Sequence, residues 1–266
     1  MHVPDILLSN EIESALKSEL IGKYVFLFDE VDSTNTKARE LAEKGYDEGT
    51  VIMAENQSKG RGRLGRVWVS PPGVNFYISI ILKPELVPAK ATRITMLVAV
   101  AVASVLRKTL SLPVTIRWPN DILVRDRKLG GILIEMDSEM DRVNYVVIGI
   151  GINVNMDISI LPDGLQKTAT SIKRELGHEV KRIDILIPLL KGIGYWYRVY
   201  KKDGIHPVLN EWINLSSILG KRIRLSTPKK VIEGKAEGID EDGRLIIGFP
   251  DGSFELASSG DVTVIK

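Results

Sequence analysis

The sequence predicts an α+β protein: a mixed, largely antiparallel sheet covered by helices, followed by a small C-terminal β-barrel. Three features predict it. Between residues 115 and 153, four β-rich segments follow one another with turns between them, the order of an antiparallel or mixed sheet rather than a doubly wound one. Two long segments with helical apolar spacing, 88–110 and 183–200, can cover such a sheet. Beyond Leu215 only short β-rich segments remain, divided by Asp242-Gly243 and Asp251-Gly252, which is hairpin punctuation. The chain therefore divides into a large domain, residues 1–214, and a small one, 215–266.

The first helix is expected over 9–20, where Ser9 or Asn10 can cap and Ile12, Leu16 and Leu20 share a face. A β segment, 24–28, runs into a polar turn, 29–35, and a helix over 37–44 follows, stopped by Gly45. Strands are expected at 50–54 and 73–82, on either side of a basic loop. Segment 88–110 is the main core helix, carrying Ile94, Leu97, Val98, Ala101, Val105 and Leu106, with Pro113 beyond its end. The four sequential strands are 115–118, 121–124, 129–136 and 144–153, and Asp126-Arg127 turns the chain before Lys128. A helix over 169–176 stops at Gly177, and helix 183–200 is amphipathic, with Trp196 and Tyr197 in the core. The terminal β segments are 221–226, 231–238, 244–249 and 254–256, in a unit expected to hold five strands.

Composition narrows the function classes. With 266 residues, 44% of them hydrophobic and 26% charged, the chain is of ordinary globular make-up. A net charge of +2 supplies no global field for nucleic acid, so such binding would have to be local. The absence of cysteine excludes disulfides, a thiol nucleophile and cysteine-ligated zinc. His2, His178 and His206 are too scattered to suggest a metal site. No basic segment followed by an apolar one opens the chain. The longest apolar run, 96–106, is short of the roughly 20 residues a bilayer requires. A buried helix, a cytoplasmic protein and no membrane partner are expected.

Residues 55–70 carry the strongest local signal. Lys59, Arg61, Arg63 and Arg66 are interleaved with Gly60, Gly62 and Gly65, and no acidic residue occurs from 56 to 84. Glycine lets the main chain approach a ligand, and arginine offers a planar fork matched to carboxylate or phosphate. These cations are expected to wait for a bound anion. The spacing of the glycines also fits a dinucleotide-binding fingerprint, but that motif must open a helix. Here Val67, Trp68 and Val69 favour strand, and Pro71-Pro72 would stop a helix. A kinase loop fits no better, because neither H-R-D nor D-F-G occurs downstream. A solvated basic loop or a non-specific nucleic-acid patch is the competing reading, against which the glycines count.

Five pieces then need one explanation: Ser33-Thr34-Asn35, the loop from Gln57 through Gly60-Arg61-Gly62-Arg63 to Gly65-Arg66-Val67-Trp68, Trp118-Pro119-Asn120-Asp121, Lys128-Leu129-Gly130-Gly131, and Gly149-Ile150-Gly151-Ile152-Asn153-Val154. Their order and spacing resemble the biotin protein ligases, from about residue 28 to 155, and the small C-terminal unit resembles that family's last domain. The resemblance implies a class II synthetase-like catalytic domain and an SH3-like barrel. It also implies an enzyme that activates biotin with ATP and attaches it to a lysine of a carboxylase carrier domain.

Under this resemblance Ser33, Thr34, Asn35 and Gln57 bind biotin, together with Gly60, Arg61, Gly62, Arg63, Lys128, Gly131 and Gly149. Arg61, Arg63, Arg66, Trp68, Asn120, Lys128 and Asn153 meet ATP or the adenylate, with Trp68 and Asn153 beside the adenine. Lys128, Arg61 and Arg63 are the catalytic cations, and Gly130, Gly131, Gly149 and Gly151 keep the floor clear. Asp121 is the candidate to hold Mg²⁺ or orient the acceptor amine, though Asn120-Asp121 also suits a turn. One variant of the family carries an N-terminal winged-helix DNA-binding domain. Here the motifs begin at Ser33, so specific DNA binding is not expected. The implied partners are a biotin carboxyl carrier protein and a second copy of the chain, with segment 144–153 as the suspected dimer contact. A lipoate or octanoate ligase is the enzymatic alternative.

The chemistry asks for such residues independently. A carboxylate attacking an α-phosphate brings two anions together, at about 4 kcal/mol for each like-charge contact near 4 Å and an effective dielectric near 20. Positioned cations offset this repulsion, and a closing loop protects the labile anhydride.

Overall fold

The computed structural model describes residues 5–265, so His2 lies outside them. Chain order runs α1 (Ser9–Leu16), β1 (Val25–Val31), α2 (Thr34–Glu43), β2 (Val51–Gln57), β3 (Phe76–Leu82), α3 (Thr92–Leu110), β4 (Val114–Arg117), β5 (Asp121–Val124), β6 (Arg127–Ser138) and β7 (Val143–Ile152). The seven strands form one sheet in the order β1-β2-β3-β7-β6-β5-β4. Every pairing is antiparallel except β1 with β2, which α2 joins as a parallel crossover. The sheet is thus mixed and largely antiparallel, as the run of turn-linked strands predicts.

The details differ where pairing outweighs local propensity. β1 runs through Asp29 and Glu30 to Val31, because Glu30 and Val31 pair with Asn56 and Gln57 of β2. The expected polar turn 29–35 therefore shrinks to Asp32 and Ser33. The turn after β5 sits one residue earlier than expected, on Arg125 (φ 48°) and Asp126 (φ 65°), and Arg127 already belongs to β6. The first helix ends at Leu16 rather than Leu20, and α3 begins at Thr92 because Pro88–Lys90 forms a separate 3₁₀ turn. Segment 144–153 is β7, hydrogen-bonded on both sides by β3 and β6.

α3 is the core helix. Residues 88–110 have the length and hydropathy of a membrane span, yet ten of the α3 side chains are buried among the sheet, α6 (Arg182–Asp203) and α7 (His206–Leu215). α6 continues through Pro188, and α7, with fully buried Trp212, was not foreseen. Between β7 and α6 lie α4 (Asp163–Gln166) and α5 (Ile172–Leu176). α5 is shorter than the expected 169–176 because Ala169 is drawn into a bridge with Lys128. Behind the sheet, Arg182 is 1% exposed and binds both carboxylates of Asp5 and Glu55 as well as the Asn75 carbonyl.

The C-terminal strands β8 (Arg222–Ser226), β9 (Val231–Ile239), β10 (Leu245–Gly248), β11 (Phe254–Ala257) and β12 (Asp261–Val264) form an antiparallel sheet ordered β11-β10-β9-β8-β12. Its fifth strand is β12, on which the sequence placed no segment. Ile223, Leu225, Ile232 and Leu245 join the same apolar cluster as Leu97 and Ile116, so this unit is docked on the large one. The Trp118 indole N–H donates to the Gly243 carbonyl at 2.9 Å, and Arg93 pairs with Asp242 at 3.2 Å.

Candidate active site

The segments singled out above converge on one cleft of about 280 Å³, lined by residues from Ser33 to Asp261. Of the expected site residues, Gly60 and Gly130 alone do not line it. At one end, Ser33-Thr34-Asn35 opens α2, whose first-turn N–H groups have no intrahelical partner. Gln57 stands in for a cap: its Oε1 accepts from the Thr34 N–H at 2.9 Å and from Thr34 Oγ1 at 3.2 Å. Ser79 Oγ donates to Asn35 Oδ1 at 2.6 Å and lies 2.8 Å from Thr34 Oγ1. Asn35 Nδ2 donates to Glu135 Oε2 at 3.1 Å. Among the described residues the Ser33 hydroxyl makes no hydrogen bond, so it is available to a ligand.

Glycine loops over the cleft as a small hairpin rather than a loose coil. Gly62 N–H donates to the Arg66 carbonyl at 2.7 Å, Trp68 N–H to the Gly60 carbonyl at 2.9 Å, and Arg61 bridges Val67. Its tip turns at Leu64 and Gly65, both at positive φ. A side chain at Gly60 would strike the Trp68 carbonyl and come within 2.7 Å of Ser70 Oγ, so the hairpin itself requires glycine there.

The expectation that all four loop cations are unpaired is corrected by acids distant in sequence. Arg61 pairs with Glu135 at 3.2 Å, and Arg66 pairs through both nitrogens with Asp261 of β12. Among the described residues Lys59 and Arg63 have no ion pair. Arg63 donates to Asn120 Oδ1 at 3.0 Å, and burial holds its guanidinium below the ordinary arginine value. Asn120 Nδ2 is spent on the Ile132 carbonyl at 2.6 Å, so Asn120 aims Arg63.

Lys128 owes its direction to a bulge. Ile122 pairs with Gly130 and Leu123 with Lys128, leaving Leu129 as the extra residue. In a regular strand Lys128 would share a face with Gly130; the extra residue returns it to the face of Gly131 and Leu133. Its backbone is pinned by Thr168 and Thr170, and its ammonium lies 2.5 Å from Asp121 Oδ1 and 5.7 Å from the Trp68 ring centre. Arg117 binds Asp121 Oδ2 at 2.8 Å. Burial opposes ionisation of Asp121, but Lys128 and Arg117 together outweigh it and hold the carboxyl below the usual range. With both oxygens engaged, and no cluster of three metal-binding side chains among the described residues, the protein forms no cage for Mg²⁺.

The floor is built on glycines. Gly131 and Gly151 are cross-strand partners, and the Trp68 ring lies against Gly151, where a β-carbon would sit 2.6 Å from the indole. A β-carbon at Gly149 would collide with Asn35 Oδ1 and lie 3.0 Å from Cγ and Nδ2. At Gly130 it would sit 2.7 Å from the Gly151 carbonyl, so Gly130 keeps the ladder closed beneath the site. These glycines thus make room for the protein's own Asn35 and Trp68. Among the described residues the buried Trp68 indole N–H has no partner. Asn153 is held by the Thr170 carbonyl through Nδ2, at 3.0 Å, and its Oδ1 accepts nothing among the described residues. Val69, Leu133, Ile150, Met156 and Leu165 add an apolar wall. Sequence reasoning missed Glu135, Arg117, Asp261 and the wall from Met156 to Ala169. None of these carries a local signal, and only the strand alternation of Gly131, Leu133 and Glu135 could have pointed to Glu135.

Five cationic side chains and two carboxylates line the cleft, which suits an anionic ligand beside an apolar one. The Biotin/lipoate A/B protein ligase family matches residues 27–153, and the Biotin protein ligase C terminal domain matches 218–264. A bifunctional ligase/repressor, BirA, of Bacillus subtilis is 37% identical, covering 96% of this chain and 79% of that one. A biotin–[acetyl-CoA-carboxylase] ligase of Paracoccus denitrificans is 33% identical over 83% of this chain and 92% of that one. The structure of a biotin protein ligase from Aquifex aeolicus with biotin and ATP superposes with a TM-score of 0.78 at 28% identity, covering 92% of this chain and 99% of that chain. Matched along nearly its whole length in sequence and fold, and carrying the family's motifs in a single cleft, the chain belongs to the biotin protein ligase family.

Proposed function

We propose that this protein activates biotin with ATP to give biotinyl-5′-AMP and then transfers biotin to a lysine of a biotin carboxyl carrier domain in a biotin-dependent carboxylase. The supporting observation is the two-ended cleft: the uncommitted Ser33 hydroxyl and the start of α2 at one end, Arg63 and Lys128 at the other, with apolar walls between. In the first step a carboxylate oxygen of biotin attacks the α-phosphorus and pyrophosphate leaves. Arg63 and Lys128 offset the charge that gathers there. Trp68 and Asn153, each with an unused polar atom, are the proposed adenine contacts. Mg²⁺ enters with the nucleotide.

In the second step the acceptor amine attacks the acyl carbon, its C–N bond forming as the C–O bond to AMP breaks and its released proton passing to water. A carboxylate held ionised below its usual range is a weak base, so Asp121 is assigned to orient the amine rather than take its proton. The proposed setting is cytoplasmic, and the proposed working form is a homodimer. Edge strand β1, with Phe26, Leu27 and Phe28 half-buried, is available for that contact.

The deciding experiment is ATP–pyrophosphate exchange with Mg²⁺, comparing biotin, lipoate, octanoate and no acid, with Lys128→Ala alongside. Exchange that requires biotin and collapses in the variant is expected. Exchange supported by lipoate or octanoate instead would make the protein a different acyl ligase, and none with any acid would reject adenylation.

A further inference from the structure

Glu135 does not line the cleft, yet it touches both halves of its wall. A single oxygen, Oε2, accepts from Asn35 Nδ2 at 3.1 Å and from Arg61 Nη2 at 3.2 Å. Asn35 belongs to the floor and Arg61 to the first arm of the hairpin. By strand alternation Glu135 shares a face with Gly131 and Leu133, one step beyond the lined surface. The remaining side-chain ties of the hairpin, Arg63 to Asn120 and Arg66 to Asp261, belong to its tip and second arm. Among the described residues Arg61 is the one first-arm side chain fastened elsewhere, to Glu135 and, at 3.3 Å, to Thr36 Oγ1.

We propose that Glu135 is a positioning residue that anchors the glycine–arginine hairpin at the biotin end of the cleft and fixes the Asn35 amide in the same stroke. The proposal rests on the ligase reading and assigns Arg61 to holding the hairpin, leaving Arg63 and Lys128 as the cations directed at substrate. An exposed ion pair of this kind is weak by itself. Here the same oxygen also sets the orientation of Asn35, which is 3% exposed and pressed against Gly149, so its loss disturbs two elements at once.

The test uses the full chain. Ligand-free wild type, Glu135→Gln, Arg61→Gln and the double variant are exposed to limiting trypsin, and cleavage after Arg63 and Arg66 is followed by mass spectrometry. Each single variant is expected to be nicked about tenfold faster, the scale of one charge-assisted hydrogen bond. The double variant is expected to be no faster than the singles, because both changes break one contact. In exchange assays Glu135→Gln should raise the KM for biotin about tenfold with kcat within about twofold, and Glu135→Asp should recover part of that loss. Unchanged nicking, additive nicking in the double variant, or a fall in kcat at unchanged KM would overturn the anchor. If Glu135→Gln does not fold, the Arg61→Gln comparison decides. Wild type without biotin-dependent exchange would remove the ligase reading, while the nicking assay, which needs no activity, still judges the anchor.

Discussion

Replacing Gly149 by alanine sets two physical effects against each other, and their signs differ. Gly149 has no positive φ and pairs with Ser79 on β3 and Leu133 on β6, so alanine is conformationally acceptable there. Reduced unfolded-chain entropy alone would then stabilise the protein by about 0.4–1 kcal/mol. The added carbon, however, enters the space of the Asn35 amide, which is locked by Ser79 at 2.6 Å and Glu135 at 3.1 Å. Displacing the amide gives up both bonds, at about 1 kcal/mol for the first and about 1.5–3 kcal/mol for the charge-assisted second. The net expectation is a loss of about 2–3 kcal/mol, a fall in Tm of roughly 5–10 °C for a chain of this size. Biotin KM should rise at least about tenfold, because a floor contact has moved. Calorimetry and pyrophosphate exchange read the two quantities. A Tm equal to or above wild type, with biotin KM within about twofold, would refute the packing argument.

Arg182→Met should be the more damaging change, because Asp5 and Glu55 lose a partner that is itself fully buried; a loss of about 3–5 kcal/mol is expected by denaturant titration. For Lys128→Met, exchange should fall at least about 10²-fold. The same variant carries a pH signature. The Asp121 carboxyl lies below its ordinary value of 3.8, so its contribution to stability is present above that pH and is lost as pH falls through the folded-state value. Removing Lys128 raises that folded-state value, so acid unfolding followed by circular dichroism should begin at a higher pH than in wild type.

The elements legible in the sequence were those fixed by local pattern: the α3 run, the strands between 115 and 153, and the Asp-Gly turns of the small domain. The site was legible where glycines and cations cluster in sequence, as from Gly60 to Arg66. It was not legible where geometry depends on pairing. Nothing in Lys128-Leu129-Gly130-Gly131 announces that Leu129 is a bulge, yet that extra residue puts Lys128 on the cleft face. Nor does a single acid-free stretch reveal that Glu135 and Asp261, distant along the chain, neutralise Arg61 and Arg66. α7 escaped because the short segment His206–Leu215, with Pro207 at its start, offers a weak periodic signal beside the long α6.

The glycine floor has a consequence for redesign. At Gly131, Gly149 and Gly151 every possible substitution adds atoms and none removes them, so this surface can be made smaller but never larger. A variant meant to accept a bulkier acid must gain its volume elsewhere, by trimming Val69, Leu133, Ile150 or Leu165 on the walls. Substrate range in this cleft is therefore adjustable sideways and fixed from below.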